Sequence, residues 1–261
     1  MTKKLAVLFL GCVLIIGCLF ITGCKEHEHV DESADKPGSE DSVTTGTTYP
    51  RAEYVDQNKD AILERLEKFK ALDLEEPAVI VNGKPISLKI AALEVEFGIA
   101  EYIGTANAVL EDGRPFPNIR SKDQAHDILS KDIDDLRAKV TSEVFDRMIR
   151  SELYRQEAER RGFEVTEEYA REYAEKSSIK NAKEYIKEQG LQPHESEKLI
   201  IEIVLEILDM TEEEHLEWSV DMHRREMAIG EMRNSMTDRE EYEKLGEKLM
   251  DEADIEYVSL P

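Results

Sequence analysis

Cysteine is nearly missing from this chain. Three occur in 261 residues, Cys12, Cys18 and Cys24, and none follows Cys24. The long remainder therefore has no disulfide and no cysteine-ligated zinc site, and must be held by its core alone. Basic charge is also scarce: 34 Lys and Arg stand against 58 Asp and Glu, a net charge of -24. A surface that tracks phosphates needs a basic face, so nucleic acid is excluded as a partner. Electrostatic attachment to anionic lipid is excluded on the same ground. No Gly-x-Ser-x-Gly elbow occurs, which removes that route to a serine nucleophile. An alternating βαβ pattern is missing as well, and with it the two-lobed architecture of many solute-binding proteins.

The basic residues Lys3 and Lys4 open the chain, and Leu5 to Ile21 is apolar apart from small Gly and Cys positions. The run stops at Ile21-Thr22-Gly23-Cys24. An apolar residue, two small ones and a cysteine form a bacterial lipobox, in which a peptidase cuts before the cysteine and the thiol receives diacylglycerol. Residues 1–23 thus read as a lipoprotein signal peptide, and Cys24 as the lipid-attachment site. The protein is expected on the cell membrane, anchored on its extracytoplasmic face by acyl chains that bury about 0.8 kcal/mol per CH₂. Without Lys3 and Lys4 the mature chain has 32 bases against 58 acids, or -26. Residues 24–51 hold almost no large apolar side chain and read as a disordered tether. Within them, His27-Glu28-His29 and Asp31 could approach a divalent metal. One short cluster without distant ligands fixes no coordination geometry, and a polar spacer is the simpler reading. No cofactor is expected.

The body, residues 52–261, is dominated by helical periodicity. Ile62, Leu63, Leu66, Phe69 and Leu72 place a helix over about 53–72. Ala78-Val79-Ile80-Val81 reads as a short strand closed by the turn Asn82-Gly83. Ser87 is an N-cap for a helix to about Leu110. Ser121 with Gln124 opens a long helical stretch to about Arg161, stopped by Gly162. Further helices begin at Thr166 and at Asn181, the latter ending at Gly190. Pro193 lies near another helix start, and Leu199 to Met210 reads as the most buried helix. Thr211 with Glu214, and Thr237 with Glu240, form capping boxes. Ile255 to Leu260 alternates as a strand. The expected fold is mainly α (α+β): a multi-helix body with a small sheet pairing the strand near 78–82 with the one near 254–260, since a lone strand leaves its backbone groups unsatisfied.

Three segments together resemble the chaperone part of the SurA/PrsA-type exported folding factors. Val79-Ile80-Val81-Asn82-Gly83-Lys84-Pro85-Ile86-Ser87 resembles their opening strand, turn and helix start. Met148-Ile149-Arg150-Ser151-Glu152-Leu153 through Ala158, then Arg161-Gly162-Phe163-Glu164-Val165-Thr166-Glu167-Glu168, resembles their long helix and the turn after it. Ala253-Asp254-Ile255-Glu256-Tyr257 resembles their closing strand. The resemblance covers roughly residues 77–261. It implies a module that binds unfolded or newly exported polypeptides. Relatives often carry a parvulin prolyl isomerase domain ahead of the last helix. From Trp218-Ser219-Val220-Asp221 only about 40 residues remain, and no Gly-Gly pair exists for the parvulin signature, so no isomerase activity is expected. His126-Asp127-Ile128-Leu129 looks superficially like a parvulin strand, but it lies within the helix capped by Ser121.

A client site needs adaptable apolar side chains, and methionine is the most adaptable. Six of eight methionines lie at or beyond Met210. Trp218, Met222, Ile229, Met232 and Met236 follow one helical stripe, while Leu216, Val220 and Met227 follow another. A helix apolar on two faces usually lies between neighbours, which favours a core role for most of these residues. As client-contacting candidates we take Phe97, Tyr102, Trp218, Met222, Met232 and Met236. An apolar groove between the helix from Ser87 and the helix carrying Trp218 is the feature to look for. A dedicated envelope partner on the same fold, or a divergent isomerase, are the alternatives. His194, His215 and His223 are isolated, and Glu212-Glu213-Glu214 suits a helix N-terminus without any metal.

Overall fold

The computed structural model of the chain describes residues 54–176 and 195–261, apart from 56, 114 and 117. The leader, Cys24, the tether with His27, His29 and Asp31, the helix expected from Asn181 to Gly190, Pro193 and His194 lie outside the described residues. The described chain is mainly helical with one small antiparallel sheet. Its elements are α1 (Lys59–Lys70), β1 (Pro77–Val81), β2 (Lys84–Ser87), α2 (Leu88–Asp112), α3 (Lys122–Ser130), α4 (Ile133–Arg160), α5 (Glu167–Lys176), α6 (Glu195–Leu208), α7 (Glu212–Asn234), α8 (Arg239–Glu252) and β3 (Ile255–Tyr257).

The sheet has the order β2-β1-β3. Asn82 (φ 50°) and Gly83 (φ 77°) both take left-handed backbone, as a two-residue hairpin turn of type I′ requires. Val81 therefore sits opposite Lys84. Strand β2 is an addition to the sequence reading, which took Lys84 to Ser87 as the approach to a helix. Four residues with a proline make a weak strand signal, and Pro85 is accommodated because β2 is a sheet edge. On the other side of β1, Val79, Ile80 and Val81 face Tyr257, Glu256 and Ile255. The Asn82 side chain extends that pairing: its carbonyl accepts from Asp254 N at 2.9 Å and its amide donates to Gln156 Oε1 at 3.0 Å. Gln156 in turn donates to Val81 O at 3.0 Å, so the turn is tied to both β3 and α4.

Helix α2 is the centre of the body and corrects the expectation for Leu199 to Met210. It begins where Ser87 caps Ile90 N and ends at Gly113 in the left-handed region. It contacts α1, α3, α4, α6 and both strands of the hairpin. Its first half joins Ile62, Leu66, Val79, Val81, Ile149, Leu153, Ile203 and Ile207 in the main core. Its second half meets Ile119, Ala125, Ile128, Leu136, Val140 and Val144 in another. Helix α6, by contrast, leaves Glu202 and Glu206 exposed.

Burial all round α2 takes polar groups with it. Glu96 accepts from Nε and Nη2 of Arg65 of α1, at 2.9 to 3.1 Å, and from Arg137 of α4 at 2.6 Å. Glu94 pairs with Arg147 of α4 at 2.5 Å. Lys89 donates to Lys70 O at 3.0 Å. A buried charge is tolerated only with such partners. Gly98 brings α2 and α4 close: a Cβ there would lie 2.7 Å from Val140 Cγ1.

The long helical stretch expected from Ser121 to Arg161 is two helices. Lys131 and Asp132 adopt extended backbone (ψ 148° and 144°), and the Asp132 carboxylate accepts from Asp134 N. The apolar positions Ile128, Ile133 and Leu136 run across the break, so periodicity hides it. The cap and the acids Asp134 and Asp135 behind it are the local signal. The second capping box is shifted by one residue. Asp238 caps Glu241 N, and the Glu241 carboxylate accepts from Thr237 N and Oγ1. The box of Thr211 with Glu214 is present as expected.

Glycine-to-alanine exchanges should divide by what the new methyl meets. Gly98→Ala overpacks α2 against α4, and Gly246→Ala meets the Tyr154 hydroxyl 2.1 Å away; each should cost about 1–3 kcal/mol. Gly230 in α7 has open space around it, so Gly230→Ala should stabilise by about 0.5–1 kcal/mol. Denaturant unfolding of the three variants checks the order. Glu96→Ala, which strands two arginines, should cost about 2–4 kcal/mol in the same assay, less than a wholly buried pair because both arginines keep some solvent.

Candidate functional site

Helix α7 packs two of its faces differently, and a cleft results. One face carries His215, Ser219, Val220 and His223, all buried, and lies on α5, where Ala170 and Ala174 meet Val220. The other face turns toward α4. At its C-terminal end Ile229 and Met232 are buried with Ala158, flanked by Tyr154, Met236 and Tyr242. Tyr154 and Tyr242 stack there at 4.4 Å. Ahead of that contact, from Trp218 onward, the helix borders a gap against α4 and the hairpin that holds about 230 Å³.

Three helix faces and the edge strand line this cleft. Trp218, Met222 and Ile229 come from α7, Met148 and Ser151 from α4, Ile90 from the first turn of α2, and Pro85 and Ile86 from β2. The apolar residues on each helix are spaced by helical turns, so they share a face. The polar part of the wall consists of Glu94, Glu152, Arg155, Asp221, Arg225 and Glu226. Arg155 bonds Glu152 at 2.5 Å and also Glu159. Arg225 lies 2.5 Å from Asp221. Glu226 accepts from Ser151 Oγ at 3.2 Å; burial pushes its carboxyl above the usual range, and the Ser151 hydrogen bond opposes that only in part. The volume is below the roughly 300–1,000 Å³ common for small-molecule sites. It suits one or two side chains of a longer chain.

The six candidates from the sequence scatter. Trp218 and Met222 line the cleft. Phe97 does not: it is buried in the main core and offers no surface to a client. Met232 is fully buried among Ala158, Ala228 and Ile229, and Met236 packs beside it. Tyr102 sits over the other core, donating to Glu143 Oε2 at 2.7 Å, with the Lys139 ammonium over its ring. Sequence reasoning missed Ile90, Met148 and Glu226. For Glu226 a signal existed: it stands four residues after Met222 and three before Ile229, a charge inside an apolar stripe.

Among the described residues no group of His, Cys, Asp and Glu is placed to hold a metal, and no helix is long and apolar enough to cross a membrane. His126 is an exposed residue of α3. Glu157 on α4 is buried but held by Arg160 and Arg161, whose hydrogen bonds draw it down to about 2; it is structural. No protein family, no curated protein and no solved structure matches the chain.

His215 and His223 are buried under α5. His215 Nδ1 is 3.4 Å from Ser219 Oγ, and its Nε2 has no hydrogen-bond partner among the described residues. The His223 ring meets Tyr173 edge-on at 5.0 Å. Burial holds both below the ordinary imidazole value, and for His215 the neighbouring His223 adds to it. The unfolded chain therefore binds protons that the native chain refuses. Stability supplied by the neutral rings is present above about pH 6.5 and is lost as the pH falls below it. Unfolding midpoints between pH 7.5 and 5.5 should decline more steeply for the parent protein than for His223→Phe, which keeps the ring contact and removes the titration.

Proposed function

We propose that the protein is a membrane-tethered chaperone of the SurA/PrsA kind. The lipid on Cys24 would anchor it on the extracytoplasmic face, and the cleft would hold exposed segments of unfolded exported polypeptides without isomerising proline. One observation carries the reading. The body keeps an open cleft between the hairpin, α2, α4 and α7, with an apolar strip that includes the single tryptophan and two methionines beside a charged wall. An ordinary helical body would close such a gap, since a large apolar side chain gains about 1.5–3 kcal/mol when fully buried. The same gain is available to a client that inserts one. Methionine can reshape around varied side chains, which fits clients that share no sequence.

The cleft's position suits a tethered holdase. It lies on the folded body, whose N-terminal end would be joined to Cys24 by the polar stretch from Lys25 to Arg51. Acidic charge on the rest of the surface keeps a body with an exposed apolar cleft soluble.

The mature chain should suppress light scattering when a denatured exported protein without disulfides is diluted from urea. It should not accelerate cis–trans isomerisation of a proline peptide. Trp218→Ala with Met222→Ala should remove at least about half of the protection, consistent with the loss of roughly 2–4 kcal/mol of apolar contact. Tyr102→Phe, outside the cleft, should leave it intact. Full protection by the cleft variant, or no protection by the parent together with capture of one folded envelope protein, would sink the proposal.

A further inference from the structure

The acids of the cleft are not equivalent. Glu94 is held by Arg147, Glu152 by Arg155, and Asp221 by Arg224 and Arg225. Glu226 has only the Ser151 hydroxyl; among the described residues no lysine or arginine pairs with it. It stands on the apolar stripe of α7 between Met222 and Ile229, and all three line the cleft. A carboxylate in such a place has lost water without gaining a countercharge. The cleft's two arginines are already engaged by Glu152, Glu159 and Asp221, so they do little to repel a cation. The chain as a whole carries -24, which draws basic segments toward it and keeps two copies apart.

Resting on the client-holding reading above, we infer that the cleft selects extended polypeptide segments in which a lysine or arginine neighbours a large apolar side chain. The apolar side chain enters between Ile90, Met148, Trp218 and Met222. The cation reaches Glu226 and supplies the missing partner, while the Ser151 hydroxyl holds the carboxylate toward the cleft. Selectivity arises because the apolar contact is common to all clients, whereas a charge-assisted hydrogen bond in a partly desolvated site is available only to a basic one.

Trp218 is the only tryptophan and lines the cleft, so its emission reports occupancy directly. Three unstructured nine-residue peptides with the same Phe and Leu positions, carrying Lys, Gln or Glu between them, are titrated into the mature chain. The Lys peptide should bind about five- to tenfold more tightly than the Gln peptide, with the Glu peptide weakest. Glu226→Gln, shown to be folded by its thermal transition, should bring the Lys and Gln peptides to within about twofold of each other. Asp123→Asn, an exposed acid on α3, should leave their ratio unchanged. Equal binding of Lys and Gln peptides by the parent overturns the inference and leaves the client-holding reading standing. So does a Lys preference that survives Glu226→Gln, which would assign it to surface charge at large. No binding of any peptide overturns both. A Trp218 shift that depends on protein concentration alone would mean that a second copy fills the cleft, and would also overturn the inference.

Discussion

Two carboxylates on one buried helix constrain this molecule. Glu94 and Glu96 lie on α2, which is covered on nearly every side, and neither can keep its charge there without arginine. Glu96 draws Arg65 from α1 and Arg137 from α4, and Glu94 draws Arg147 from α4. These bonds fix how α1 and α4 are rotated about α2, because a guanidinium fork has a narrow range of good geometries. Gly98 then lets α4 approach until Val140 and Val144 meet α2. The apolar core supplies the cohesion, while the ion pairs determine which faces meet.

The rotation of α4 also sets which residues its adjoining face presents. With Arg137 and Arg147 turned inward, Met148, Ser151, Glu152 and Arg155 look toward α7. Helix α7 closes on α4 where Met232 and Ile229 meet Ala158, and closes on α5 through Val220. Between these two attachments it is held away from the hairpin. The cleft is the space left when a helix with two apolar faces is fastened at one end of one face and along the other. The proposed client site and the proposed countercharge at Glu226 both follow from that spacing.

Much of this was legible in the residues. Asn82-Gly83 marks a turn, as its left-handed backbone bears out, although the strand that follows it was not read. Ser87, Ser121 and Thr211 cap helices where their side chains can reach the third backbone N–H. The break at Lys131 and Asp132 was not legible from periodicity, because Ile128, Ile133 and Leu136 keep one apolar face across it. Helix α2 was undervalued for a related reason. Its Lys89, Glu94 and Glu96 carry charge, and only partners from α1 and α4, distant in sequence, make them interior. Of the site, Trp218 and Met222 were found, and Glu226 was passed over among 58 acids because its one signal, a charge inside an apolar stripe, is faint in so acidic a chain.

The sequence by itself determined the helix starts at Ser87, Ser121 and Thr211, the turn at Asn82-Gly83 and the acidic balance, and the local ones depend on residues within a few positions of one another. Tertiary structure alone decided which apolar residues are core and which are surface. Phe97 and Met232 were as plausible as Trp218 until packing buried the first two and left the third at the cleft. The physical reason is that a hydrophobic stripe specifies that a face must be covered, while the length and attachment points of the neighbouring helices decide how far along the stripe the cover extends.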